Sequence, residues 1–212
     1  MNVYLTIDDG PSGITRNLTG YLKAKGIGAI LFCRGDNLEA HREVALELIR
    51  DGFIIGNHSY NHKNFDTMPE GEARVQIHRT DRIIDDLHRE AGTLRAAKYF
   101  RFPYGQGGRT VRAQQAHQMI LCELGYWAPL NRPNCDWRWN LDFDDWNVTR
   151  ANSSERLKTA LERFERVHEE MVLLLHDNEP NFETRLFQNI IEAALRRGIK
   201  FHSNEHLNDQ AE

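Results

Sequence analysis

A chain of 212 residues, 40% of them hydrophobic, can bury a sizeable core, so one domain spanning residues 1–212 is expected; neither disorder nor a low-complexity tract fits this composition. The formal charge of −4, from 27 basic and 31 acidic side chains with no basic stripe or run of like charges, excludes an electrostatic footprint for nucleic acid or an anionic membrane. Met1 leads directly into an apolar run without the charged and hydrophobic regions of a signal peptide, and no apolar stretch is long enough to span a bilayer.

In chain order, Val3 to Ile7, Ala29 to Cys33, Phe53 to Ile55, Lys98 to Arg101, Val172 to Leu175 and Lys200 to Phe201 read as short strands. Arg138 to Leu141 can be read as another. Helical periodicity fills most gaps. Ala73, Ile77, Ile84, Leu87 and Ala91 share one face of a helix over residues 70–91 that stops at Gly92. A second helix begins near Asn152, whose side chain can cap it while Glu155 reaches back, with Leu157, Ala160, Leu161 and Phe164 as its apolar stripe. A third runs from about Glu183 to Arg197 and ends at Gly198. Trp127 to Arg138, interrupted by Pro129 and Pro133, reads as an irregular loop. Alternating strands and helices imply an α/β fold with a parallel sheet, either a barrel or an open doubly wound sheet. Cys33, Cys122 and Cys135 are odd in number with no zinc or redox spacing, so at least one thiol is free and a reducing, cytoplasmic setting is expected.

Five clusters can do chemistry. Asp8 and Asp9 end the first strand before the Gly10-Pro11 turn, and strand alternation points them in opposite directions, which suits a metal ligand and a proton acceptor. His58 and His62 are four apart; on one helical turn both imidazoles would share a face. His202 and His206 have the same spacing but lie in the polar C-terminal tail. Two imidazoles and one carboxylate leave positions open for water and substrate, the pattern of a catalytic zinc site. Arg101 precedes Phe102-Pro103-Tyr104-Gly105 and can pair with a carboxylate. Asp142, Asp144 and Asp145 precede Trp146, and His176-Asp177 ends the apolar run 173–175. Each cluster read alone is an ordinary turn or a satisfied core histidine. Together they all fall at the C-terminal ends of strands, the edge where parallel α/β folds build their sites.

In this order the five clusters resemble the five motifs of the polysaccharide deacetylase family, which includes chitin and peptidoglycan N-acetylglucosamine deacetylases and acetylxylan esterases. The resemblance implies a distorted, incomplete (β/α) barrel akin to a TIM barrel, and one divalent ion, zinc foremost, with cobalt, nickel or iron as alternatives. It implies Asp8 as general base, Asp9, His58 and His62 as metal ligands, and Arg101 as the residue that orients Asp8. It also implies His176 as general acid tuned by Asp145, the Tyr104 amide at the oxyanion, and Trp146 with a leucine of the last long strand around the acetyl methyl. Leu174 shares the face of His176 by alternation and is the leucine chosen. The substrate implied is an acetylated amino-sugar polymer or oligomer. The stretch 127–138 departs from the family pattern before the fourth motif. Rival readings are a hydrolase of a small amide or cyclic ureide on the same scaffold, a silent glycan-binding module, and a non-haem iron oxygenase; the last leaves Asp8 and His176 without roles.

Overall fold

In the computed structural model the described residues are 2–127, 135–137, 139, 141–164 and 171–209. Their elements are β1 (Asn2–Asp8), α1 (Thr15–Lys23), β2 (Ile30–Cys33), α2 (Gly35–Ala40), α3 (Arg42–Arg50), β3 (Ile54–Asn57), α4 (Glu70–Ala91), α5 (Val111–Glu123), β4 (Leu141–Asp142), α6 (Ser153–Phe164), β5 (Met171–His176), α7 (Glu179–Glu183), α8 (Leu186–Arg196), β6 (Lys200–Phe201) and α9 (Asn204–Asp209). All pairings between these strands are parallel, in the order β3-β2-β1-β5-β4, and β6 joins the start of β1 through Asn2 and Val3.

Because successive strand residues face opposite sides, the sheet sorts its side chains into two layers. Val3, Leu5 and Ile7 of β1, Leu31 of β2, and Leu173 and Leu175 of β5 pack outwards with Leu18 and Leu22 of α1, Leu48 of α3, and Phe187, Ile190 and Ile191 of α8. Tyr4, Ile30, Phe32, Ile54 and Val172 face inwards and meet Tyr99 and Trp137. Tyr99 and Trp137 rings are 4.8 Å apart and Tyr4 and Trp137 rings 5.7 Å apart, so large aromatics fill the interior. Burial on both faces is why β1 and β5 read as unbroken apolar runs. This is an α/β fold of the distorted-barrel kind, with one edge of its parallel sheet carrying the site.

α4 agrees with its periodicity: Ala73, Ile77, Ile84 and Leu87 are buried, and Gly92 closes the helix in the left-handed region at φ +73°. Four expectations are corrected. Residues 98–101 form a single β-bridge, Phe100 with Asn57, rather than a strand; the chain turns into Pro103, which has no amide to continue a ladder. The helix expected from about Glu183 starts later, at Leu186, because Arg185 sits at φ +59° between the end of α7 and α8. The Asn152 side-chain oxygen turns back to the Thr149 amide at 2.7 Å instead of reaching forward along α6. Cys122 of α5 and Cys135 are paired in a disulfide with Cα atoms 6.1 Å apart, so the thiol-based ground for a reducing setting does not hold for them; Cys33 is the buried free thiol.

Much of the expected 127–138 loop, like Arg138 and Asn140 of the strand read over 138–141, lies outside the described residues. Its described flanks run beside the bridge segment: the Trp127 amide donates to the Lys98 carbonyl at 3.2 Å and the Trp137 amide to the Phe100 carbonyl at 2.7 Å. Among the described residues no helix is long and apolar enough to cross a membrane.

Candidate metal centre and active site

The inward-facing positions of β1 end on Asp8, whose register partners are Phe32 of β2 and His176 of β5. Asp8 is 3% exposed and its Oδ1 accepts from Arg101 Nη1 at 2.7 Å. The Arg101 side chain is wholly buried. Its Nη1 also donates to Thr6 Oγ1 at 2.9 Å and its Nε to the Trp137 carbonyl at 3.1 Å, while its guanidinium lies 4.3 Å from the Phe32 ring centre. Thr6 in turn donates to the Leu173 carbonyl at 2.7 Å, tying this charge pair to β5. Phe32 can take its position because Gly56 opposes it; a Cβ there would lie 2.6 Å from the Phe32 ring.

Strand alternation does not carry over to Asp9. The chain leaves extended geometry at that residue, with φ +74°, so Asp9 swings its carboxylate to the same side as Asp8. Asp9 Oδ1 comes within 3.3 Å of His62 Nε2 and 3.8 Å of His58 Nε2, while Asp8 Oδ2 is 3.6 Å from His58 Nε2. His58 and His62 do not meet on a helical turn. Residues 58–62 form an irregular turn with Ser59 at φ +63° and His62 at φ +57°, which brings the two rings to 4.9 Å. Their rivals His202 and His206 also meet, stacked at 4.5 Å. Among the described residues, however, the group of His, Cys, Asp or Glu able to hold a metal ion is Asp9, His58 and His62, with ligand atoms all within 4.8 Å of one another.

This trio fits a divalent cation on its own chemistry. Asp9 Oδ1 is buried and has no hydrogen-bond partner. His58 Nδ1 bonds the Arg101 carbonyl at 2.9 Å, so Nδ1 carries the proton and Nε2 presents a lone pair to the cluster. Burial, partly offset by the Asp9 carboxylate, pushes the His58 pKa down to about 3 and lowers that of His62, keeping both imidazoles in the neutral, ligating form.

Across the site, His176 Nδ1 lies 2.6 Å from Asp145 Oδ1, and the His176 amide donates to Asp145 Oδ2 at 2.8 Å. Asp145 is wholly buried and also accepts from Asn181 Nδ2, which α7 supplies. Burial disfavours charge on the imidazole. The Asp145 carboxylate outweighs that by proximity and hydrogen bonding, with help from Asp8 and Asp9, and pushes the His176 pKa up to about 9. That value lies above the ordinary histidine range, so this proton stabilises the folded chain below about pH 6.5 and the contribution is lost as pH rises through about 9. In metal-stripped protein, the His176 ring titration followed by NMR is expected near 9, and clearly lower in Asp145→Asn. An unmoved midpoint would remove Asp145 as the cause.

Asp8, Asp9, His58, His62, Tyr104, Trp146, Leu174 and His176 all line one cavity of about 310 Å³, together with Trp139 and Asp142. Tyr104 sits at φ +59° in the tight turn Pro103–Gly105, its ring 4.7 Å from His62. Trp146 is 61% exposed at the cavity mouth. Arg101 and Asp145 stand behind the lining, each holding one of its residues. Sequence reading missed Trp139, the cavity role of Asp142, and Asn181. Their signal was weak: Asn181 lies five residues beyond His176 with no periodic relation to Asp145, and Trp139 belongs to a run of aromatics in which no residue stands out.

Fold and site thus define an α/β-barrel protein with a candidate Asp-His-His cation site, in a cavity also lined by Asp8, held by Arg101, and His176, held by Asp145. The family model for polysaccharide deacetylase matches residues 1–120, more than half of the chain, and the chain belongs to that family. A peptidoglycan-N-acetylglucosamine deacetylase of Bacillus cereus is 38% identical over 105 residues, covering 49% of this chain and 36% of the relative. This chain therefore spans about a third of that relative's length. Among solved structures, a family 4 carbohydrate esterase from Streptomyces lividans, in complex with acetate, superposes with a TM-score of 0.72 at 24% identity, covering 96% of this chain and 94% of that one. A family 4 pseudoenzyme from Bacillus anthracis superposes with a TM-score of 0.70 at 21% identity, covering 94% of this chain and 62% of that one. At these identities the structural likenesses establish the fold.

Proposed function

We propose that the chain hydrolyses N-acetyl groups of amino-sugar polysaccharides or oligosaccharides, releasing acetate, with one divalent ion, zinc, at Asp9, His58 and His62. The observation that carries this reading is the pairing of Asp8 with His176 across neighbouring strands, which brings two proton-handling groups into the same cavity as the Asp9, His58 and His62 cluster. When bound, such an ion polarises an acyl oxygen and lowers the pKa of a bound water from about 15.7 towards about 7.

The chain's own residues supply the remaining chemistry. Asp8 takes the proton of the attacking water; Arg101 engages Oδ1 and leaves Oδ2 turned to the cluster. The Tyr104 amide donates to the oxygen on which negative charge develops. His176, with Nδ1 held by Asp145, uses Nε2 to protonate the departing nitrogen, which leaves as a neutral amine. Trp146 and Leu174 enclose the methyl of the acetyl group.

The test is acetate release from N-acetylglucosamine oligomers by metal-stripped protein before and after adding zinc or cobalt, with His58→Ala as control. Release restored by metal in the wild type and abolished in the variant is expected. Oligosaccharide binding without release by metal-loaded protein would overturn the hydrolase reading in favour of a glycan-binding module. Ring opening of a small cyclic ureide, with no acetate released from the oligomers, would move the substrate class to small amides.

A further inference from the structure

We infer that Asp142 is a specificity-determining residue of this site, accepting a hydrogen bond from a donor on the sugar ring that carries the acetamide, with the Trp139 indole as the apolar wall beside it. The inference rests on the deacetylase reading and adds the part of the cavity that recognises the ring rather than the acyl group. Asp142 is the register partner of Leu174, and Leu174 and His176 share the inward face of β5, so Asp142 opens into the cavity one strand further from Asp8.

Among the described residues, its carboxylate has one hydrogen-bond partner, the Asp144 amide, which donates to Oδ1 at 2.8 Å. Of the neighbouring cations, Arg163 donates to the Asp142 carbonyl, Arg156 and Arg163 approach the Asp144 carboxylate at 3.9 and 3.7 Å, and His176, which lines the same cavity, has its Nδ1 held by Asp145. A half-buried carboxylate facing a cavity with one local amide as partner is completed by a donor from a ligand. Trp139 lies against Gly105, where an added Cβ would come within 2.5 Å of its ring, and lines the same cavity. An acceptor beside an indole suits a pyranose, which offers hydroxyls at its rim and apolar C–H groups on its faces.

Asp142→Asn separates this role from a structural one. Its carboxamide oxygen can keep the Asp144 amide bond while its NH2 presents a donor to the cavity, so only the polarity towards the ligand is reversed. With metal-loaded protein, kcat/KM is measured for N-acetylglucosamine oligomers and for 4-nitrophenyl acetate, which has no ring hydroxyls. The preference for the sugar is expected to fall about tenfold or more, chiefly through KM. Equal losses on both substrates, or no loss on either, would overturn the assignment. Wild-type protein that cleaves the aryl acetate but leaves the oligomers intact would overturn the sugar-deacetylase reading, and this inference with it.

Discussion

Asp8→Asn is expected to lower acetate release by about two to four orders of magnitude, the usual contribution of a positioned general base, while bound metal stays at the wild-type amount. Asp8 and Asp9 are adjacent in the chain and both reach towards His58 Nε2, at 3.6 and 3.8 Å, so distance alone does not divide their work. Their partners do. Asp8 Oδ1 is held by Arg101, whereas Asp9 Oδ1 is buried without a hydrogen-bond donor, the condition of a ligand atom. Turnover and metal content measured on the same preparation separate the roles: metal lost together with activity would make Asp8 a ligand, and unchanged turnover would remove it as the base. Asp9→Asn should show the converse, with metal affinity falling first.

Arg101→Leu is expected to destabilise the protein by about 3–5 kcal/mol, because it leaves the Asp8 carboxylate buried without its cation. Arg101 is 0% exposed, so water has little access to take the place of the guanidinium. The change also removes donors from Thr6 Oγ1 and the Trp137 carbonyl and the charge beside Phe32. Denaturant midpoints of metal-stripped protein measure the loss without a contribution from ion binding. Arg101→Lys, which restores charge but not the forked geometry, is expected to recover part of the stability. A wild-type midpoint in the leucine variant would show that the pair contributes nothing net.

The sequence by itself determined the elements with strong periodicity and the chemistry available at their ends. β1 and β5 are apolar over most of their length because both faces are covered, and α4 shows its buried stripe and its Gly92 stop without ambiguity. Runs of this kind stop where the sheet stops, which is why Asp8 and His176 could be placed at one edge from the sequence, whereas the segment before Arg101 forms a single bridge rather than a strand. Local rules failed where the backbone leaves regular geometry. Asp9, Ser59, His62 and Tyr104 all have positive φ, a state that neither strand alternation nor helical spacing anticipates. The four-residue spacing of His58 and His62 therefore does not arise from a helical turn, and His202 and His206 satisfy the same spacing with a stacked contact; the strand before the first pair, not the spacing, is what singled it out. Only the tertiary structure decided which pair meets a carboxylate, that both carboxylates of the first motif turn to one side, and that Asn181 and Trp137 support Asp145 and Arg101 from distant segments. Those outcomes depend on long-range packing between strand ends and loops, which sets side-chain direction wherever the repeating backbone no longer does.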